Sequence, residues 1–164
     1  MKTLANKIEL FANVAIIVVA LLISGIVAKR YFFDSQTKPA SIIGTRINLP
    51  SADWSKNRST LILALSKDCR FCTQSAPFYQ RLVKKTASPD AARLIAVFPQ
   101  GVEESTRYLN EIGVQINDIK QTSLTSLGTK GTPTLILVNN DGIITDSWMG
   151  MLSSEKEAEV LAKL

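Results

Sequence analysis

Cys69 and Cys72 are the only two cysteines of this 164-residue chain, and they stand three positions apart in Cys69-Arg70-Phe71-Cys72. At the start of a helix that spacing puts one sulfur at the N-terminus and the other one turn in. Such a pair forms a disulfide that can open and close. A chain that spends its whole cysteine content on one C-x-x-C uses it for thiol–disulfide exchange. The helix dipole and the free N–H groups of the first turn favour a thiolate at Cys69. Arg70 and Lys67 add positive potential there, and Asp68 opposes them. The expected chemistry is attack by an exposed Cys69 on a substrate disulfide, followed by resolution of the mixed disulfide by a more buried Cys72.

Two plainer readings compete. A structural disulfide over this spacing closes a very small loop and stabilises a fold little. A zinc half-site needs two further ligands, and no other cysteine and no histidine is present to supply them. The lack of histidine also excludes Ser-His and Cys-His catalysis and every His-ligated metal site. Haem attachment of the c type needs a histidine after the second cysteine, and that residue is Thr73. No cofactor and no metal is expected: the electrons pass through the two sulfurs.

The elements around the pair are legible from pattern. Thr60 to Leu65 is a continuous apolar run just before Cys69, the signature of a strand buried on both faces. Phe71 to Lys85 carries a helical pattern, with Lys84 and Lys85 in its last turn, and Ser88-Pro89-Asp90 ends it. Arg93 to Phe98 reads as a second buried strand. Glu103 to Ile112 reads as a helix with acids in its first turn and Gly113 just past its end. Short strands are expected at Thr45–Leu49 and Val114–Ile119, and a short helix at Ser123–Leu127. Thr134–Val138 is strand-like, and Asn140-Asp141-Gly142 turns the chain into a partner strand at Ile143–Trp148. A last helix from Ser154 to Leu164 has Ser154 and Glu157 spaced as a capping box. Parallel strands followed by a hairpin and a closing helix imply an α/β fold with a central mixed sheet flanked by helices.

Leu10 to Ala28 holds 19 residues without a charge. As a helix it is about 28 Å long, close to the hydrocarbon thickness of a bilayer. A cleaved signal peptide is the alternative, but its apolar core is usually shorter and Ile26 spoils the small-x-small site before Ala28. The reading taken is one uncleaved transmembrane helix. The organisation is then a short tail (1–9), the anchor (10–30), a tether (31–43) and one domain (44–164). Lys2 and Lys7 face Lys29 and Arg30 across the segment, so charge alone does not orient it. Disulfide chemistry favours a single-pass cell-membrane protein with its C-terminal domain extracytoplasmic, on the periplasmic side. The net charge of +5 is scattered rather than striped, without interleaved aromatics, which excludes nucleic acid as a partner class. Basic residues beside an anchored domain face anionic lipid or nothing at all.

Taken together, these residues resemble the thioredoxin-like superfamily over roughly residues 44–164. Cys69-Arg-Phe-Cys72-Thr-Gln-Ser-Ala-Pro77 is similar to the family's active-site helix, with Pro77 at the place of a helix-kinking proline. Gly131-Thr132-Pro133-Thr134 resembles its cis-proline loop, and Asn140-Asp141-Gly142 with Gly150-Met151-Leu152-Ser153 resembles its closing hairpin and the approach to its last helix. The stretch between Cys72 and Pro133 has room for one extra helix and strand, at about 103–119. Membrane-anchored members of the redoxin and cytochrome-c-maturation type, and peroxiredoxins, carry such an insertion. Departures are Asp68, where an aromatic is usual, the Arg70-Phe71 dipeptide, and Leu63, where thioredoxin has a buried acid.

The resemblance implies a membrane-anchored thiol–disulfide oxidoreductase with Cys69 and Cys72 catalytic. It implies a cis Pro133 that sets Thr132 beside the cysteines, and contacts to substrate from Thr132, Pro133, Arg70 and Phe71. The partners are protein thiols and disulfides, with a membrane-bound or soluble redox partner. Trp54, Trp148 and Phe71 are also candidates for a docking surface, with core or hairpin packing as the plainer reading. Two other functions stay open. A peroxidase of peroxiredoxin type would use Ser66, three before Cys69, and an arginine such as Arg70 or Arg93. A non-catalytic assembly subunit would keep the fold for binding alone.

Overall fold

Strand β1, Ser59–Ala64, is fully buried from its second residue onward. Such a run survives only at the centre of a sheet covered on both faces. The computed structural model describes residue 19 and residues 42–49, 52–88 and 91–164. Among them no helix is long and apolar enough to cross a membrane. The expected tail, all of the anchor but residue 19, nearly all of the tether, and Pro89 and Asp90 lie outside the described residues.

After β1 come α1 (Arg70–Gln74), α2 (Ala76–Lys85), β2 (Arg93–Phe98), α3 (Val102–Glu111) and β3 (Ile119–Gln121). A 3₁₀ turn at Leu124–Leu127 leads to β4 (Thr134–Asn139), β5 (Ile144–Met149) and α4 (Ser154–Ala162). The five strands form one sheet in the order β3-β2-β1-β4-β5. β1–β2 and β2–β3 are parallel, whereas β1–β4 and β4–β5 are antiparallel. The sheet is thus mixed, as the sequence pattern implies.

Strand alternation divides the core. Leu61, Leu63 and Leu65 of the β1 run face one cluster with Cys72, Phe78, Tyr79, Leu82, Leu109 and Val160 from the helices. Ile62 and Ala64 face the other, with Ile95, Val97, Ile136 and Val138. That second face is covered by Ile42, Ile47, Leu49, Ala52 and Trp54 and by Leu124 and Leu127 of the 3₁₀ turn.

Four local expectations need correction. The single helix over 71–85 is two helices. The interruption is Ser75 alone, whose N–H still makes the helical bond to the Phe71 carbonyl at 3.1 Å, with its Oγ at 2.9 Å. Pro77 sits in the first turn of α2 and has no N–H to offer the Thr73 carbonyl, so the interruption falls where the proline removes a helical bond. Thr45–Leu49 is not a strand: Arg46 makes one isolated bridge to Ile143, while Ile47 and Leu49 are anchored by burial. Val114 and Ile116 are core residues of a loop, and the strand starts only at Ile119, where β2 offers Ala96 as a partner. The N-cap of α4 is Ser153 rather than Ser154, without a side-chain cap bond, and the Glu157 carboxylate pairs instead with Arg81.

Gly142 closes the β4–β5 hairpin with φ +77°, and a Cβ there would stand 2.8 Å from Cδ1 of Trp54. The turn therefore needs glycine twice over, for its backbone and for the indole packed on it.

Candidate active site

Sheet register places the site. Ala64 at the end of β1 pairs with Thr134 at the start of β4 and with Val97 near the end of β2. The chain leaving β1 toward Cys69, the chain entering β4 through Pro133, and the chain leaving β2 through Gln100 therefore meet at one edge. Carboxyl ends of parallel strands are the usual place for chemistry in such sheets.

Cys69 is the N-cap of α1, with φ −93° and ψ 107°. Its sulfur accepts the Cys72 backbone N–H at 3.3 Å, and its thiol donates to the Thr132 carbonyl at 3.1 Å. Cys72, one turn on, has no exposed surface. Both are thiols in this structure. The Thr132–Pro133 peptide is cis. Gly150, with φ +84°, donates its N–H to the Pro133 carbonyl at 2.7 Å and ties the far end of β5 to the same loop.

The two sulfurs differ in acidity. Burial pushes Cys69 up, but hydrogen bonds with the Cys72 thiol, the Thr132 side chain and the backbone N–H groups of Cys72 and Phe71 outweigh it. Its pKa lies below the ordinary thiol value. Cys72 is pushed up to about 12, first by burial and then by its hydrogen bond to Cys69. At neutral pH Cys69 is the better nucleophile and Cys72 holds its proton.

Of the other residues singled out in the sequence, Thr132 and Pro133 stand against the pair. Arg70 and Phe71 project from α1 into solvent, and Phe71 is 53% exposed. Lys67 pairs with Glu104 at 2.6 Å and lies 3.9 Å from Asp68, so two acids answer its charge. Trp148 is buried and bonds Glu159 at 3.3 Å, and Trp54 packs over Gly142. Both indoles are packing residues, whereas Phe71 is not. Arg93 sits at the opposite end of the sheet, pairing with Thr60 in register and with Asp118 in charge. It is not brought to the cysteines. Leu63 is fully buried in the cluster that holds Cys72, so the place of thioredoxin's acid carries no carboxylate here.

Several neighbours escaped the sequence reading. Gln100 donates to Ser66 Oγ at 3.1 Å and to Asp68 Oδ2 at 3.2 Å, bracing the loop before Cys69. The Thr73 hydroxyl meets the Tyr108 hydroxyl at 3.1 Å, joining α1 to α3. Met149 and Met151, on either side of Gly150, are 56% and 55% exposed. Gln100 could have been found, because it ends a buried parallel strand at the edge where the C-x-x-C begins.

No family model matches the chain, and no curated protein matches it. Solved structures do. A thiol-disulfide isomerase from Corynebacterium glutamicum is similar at a TM-score of 0.55 and 15% identity, over 74% of this chain and 88% of that one. StoA from Bacillus subtilis is similar at 0.52 and 20% identity, over 63% of this chain and 82% of its own. A thiol:disulfide interchange protein of the thioredoxin family from Chlorobium tepidum TLS is similar at 0.53 and 14% identity, over 69% and 82%. Identities this low speak for architecture alone. The mixed sheet, the cysteine pair at a helix start and the cis-proline loop opposite it together make this a thioredoxin-like α/β fold.

Proposed function

We propose that the chain is a membrane-anchored thiol–disulfide oxidoreductase that reduces disulfides in extracytoplasmic proteins through Cys69 and Cys72. The observation that carries this reading is the asymmetry of the pair. Cys69 is partly exposed, caps a helix and has a lowered pKa. Cys72 is buried, protonated and one turn away. Such a pair attacks with the first sulfur and resolves with the second.

The steps balance without a cofactor. The Cys69 thiolate attacks one sulfur of a substrate disulfide, forming a mixed disulfide and releasing one substrate thiolate, which takes a proton. Cys72 loses its proton and attacks Cys69. The second substrate thiol leaves, and the Cys69–Cys72 disulfide remains. Two electrons have passed to the substrate, and a separate dithiol partner must return them. Thr132 and Pro133 beside the sulfurs, and Arg70 and Phe71 on the exposed face of α1, are assigned to substrate contact.

The potential of the pair decides the direction: hydrogen bonds lower the Cys69 pKa and favour its thiolate, while burial keeps Cys72 protonated. The anchor rests on the uncharged run from Leu10 to Ala28, and the extracytoplasmic side on disulfide chemistry. The proteins named above as thiol-disulfide isomerase and interchange protein share the fold and support the reaction class.

The test is the reduction potential of the full chain, equilibrated in thiol buffers. A value near about −270 mV supports an electron donor. A value near about −120 mV replaces it with an oxidant that installs disulfides. Absence of a two-cysteine couple removes the redox reading, and rapid turnover of hydrogen peroxide replaces it with a peroxidase. Fractionation, with labelling of Cys69 by an impermeant reagent on intact cells, tests the anchor and its orientation.

A further inference from the structure

Two neighbouring side chains on the loop after β1 turn to opposite sides. β2 and β4 flank β1 in the sheet, one on each side. The Cys69 thiol turns to the loop that enters β4 and donates to the Thr132 carbonyl at 3.1 Å. The Asp68 carboxylate turns to the loop that leaves β2 and accepts from Gln100 Nε2 at 3.2 Å. The same Nε2 donates to Ser66 Oγ at 3.1 Å, and Ser66 Oγ also accepts the Asp68 backbone N–H at 3.3 Å. The Cys69 N–H closes this turn on the Ser66 carbonyl at 3.2 Å. One amide thus grips both the turn before the nucleophile and the charge carried on it.

That orientation leaves Gln100 Oε1 buried without a hydrogen-bond partner. Buried polar atoms are nearly always paired, so something must hold the amide this way round. Turning it over would set Oε1 against the Asp68 carboxylate, acceptor on acceptor. The charge of Asp68 therefore fixes the amide, and the amide fixes the carboxylate. Lys67 does not take over that task. Its Nζ is 2.6 Å from Glu104 of α3 and 3.9 Å from Asp68. Among the described residues, Gln100 makes the one side-chain hydrogen bond to the Asp68 carboxylate.

The placement of that carboxylate matters to the sulfur, because a like charge nearby disfavours a thiolate. The titratable groups that feel the charge of Cys69 are Cys72 in its own turn, Tyr79 of α2 and Tyr108 of α3. Burial keeps all three protonated and uncharged at neutral pH. Asp68 is the charged residue next to the nucleophile in the chain.

We infer that Gln100 is a positioning residue for the nucleophile: it holds the Asp68 carboxylate on the β2 side of the loop, away from the Cys69 sulfur, and so protects the thiolate that attacks substrate. The inference rests on the redox reading above and deepens it. Because the Asp68 side chain is 75% exposed, water screens its charge and the effect is modest.

The test is the pH dependence of iodoacetamide alkylation at Cys69 in the reduced full chain, read by mass spectrometry of the digested protein. The reagent is neutral, so the charge of the site neither attracts nor repels it. Gln100→Leu keeps much of the bulk and removes both bonds. It should raise the Cys69 midpoint by about half a pKa unit, which is about a threefold loss of thiolate below the midpoint. Asp68→Asn alone should move the midpoint less, because the charge it removes is already held away. Gln100→Leu added to Asp68→Asn should then have no further effect, since no anion is left to release. A merely structural role would give the same shift in both backgrounds. That result, or an unmoved midpoint in Gln100→Leu, would overturn the inference. Gln100→Glu, of native size, serves where the leucine variant does not fold. It repels Asp68 and should raise the midpoint at least as far. Combined with Asp68→Asn it restores donor and acceptor in reverse and should bring the midpoint back, and a midpoint that stays raised would also sink the idea. The midpoint is read on reduced thiols and needs no disulfide couple. Absence of that couple removes the redox reading, and with it the role in attack, even where the midpoints shift as expected.

Discussion

The Cys69 sulfur lies 3.1 Å from the Thr132 carbonyl oxygen, although 63 residues separate them. The antiparallel register of β1 on β4, ending at Ala64 opposite Thr134, brings them together. Neither loop makes the site alone. The helix start lowers the pKa of one sulfur, and the facing loop supplies the surface against which a substrate cysteine must be presented.

The acidity difference predicts selective alkylation. With iodoacetamide on the reduced protein, Cys69 should react with a midpoint below the ordinary thiol value, because its thiolate is the favoured form. Cys72 should stay unmodified until well above pH 9, since its pKa is pushed up to about 12. Mass spectrometry of the digested protein across pH reads both. Equal labelling of the two at neutral pH would contradict the asymmetry.

Exchange intermediates should be trapped by one substitution and abolished by the other. Cys72→Ser leaves the nucleophile and removes the resolver, so mixed disulfides with substrate should accumulate and collapse on added reductant. Cys69→Ser should form none, and should lose insulin-disulfide reduction by at least about a hundredfold, as removal of an essential nucleophile does. Non-reducing electrophoresis separates the outcomes.

A buried thiol also ties stability to pH. The native pKa of Cys72, about 12, exceeds the unfolded value of about 8.5. Between those limits the unfolded chain has released a proton that the native chain retains. The unfolded state then binds fewer protons, so the Cys72 contribution is fully present below about pH 8.5 and is lost as pH rises toward about 12. Cys69→Ala should lose unfolding temperature more steeply from pH 8 to 11 than the Cys69→Ala, Cys72→Ala double variant. Parallel curves would mean that Cys72 is not held protonated.

How far the sequence revealed this site depended on the range of each interaction. The runs at Thr60–Leu65 and Arg93–Phe98 announce central strands because burial on both faces forbids polar residues along them. Asn140-Asp141-Gly142 announces its hairpin because few residues suit that turn. The C-x-x-C and Thr132-Pro133 carry their chemistry in residue type. Tyr108 was hidden, because its contact with Thr73 comes from elements packed together across 35 residues. The exposure of Phe71 could not be told from a helical pattern that treats every aromatic as core.

The hairpin offers a last prediction, about stability rather than chemistry. Gly142 has φ +77°, and a Cβ there would meet Trp54 Cδ1 at 2.8 Å. Two penalties overlap, a left-handed backbone and a collision with a rigid indole. Gly142→Ala should therefore cost about 1–3 kcal/mol, read from chemical denaturation. Asparagine tolerates left-handed backbone better than alanine does. If the backbone were the whole problem, Gly142→Asn would recover much of the loss. Because any Cβ meets the indole, Asn should be little better than Ala. Trp54→Ala, destabilising alone through lost burial, should then cost less in the Gly142→Asn background than in wild type. That non-additivity, measured as a double-mutant cycle, isolates the collision. Additive costs would mean that Trp54 moves aside freely and that the glycine is required for its φ alone.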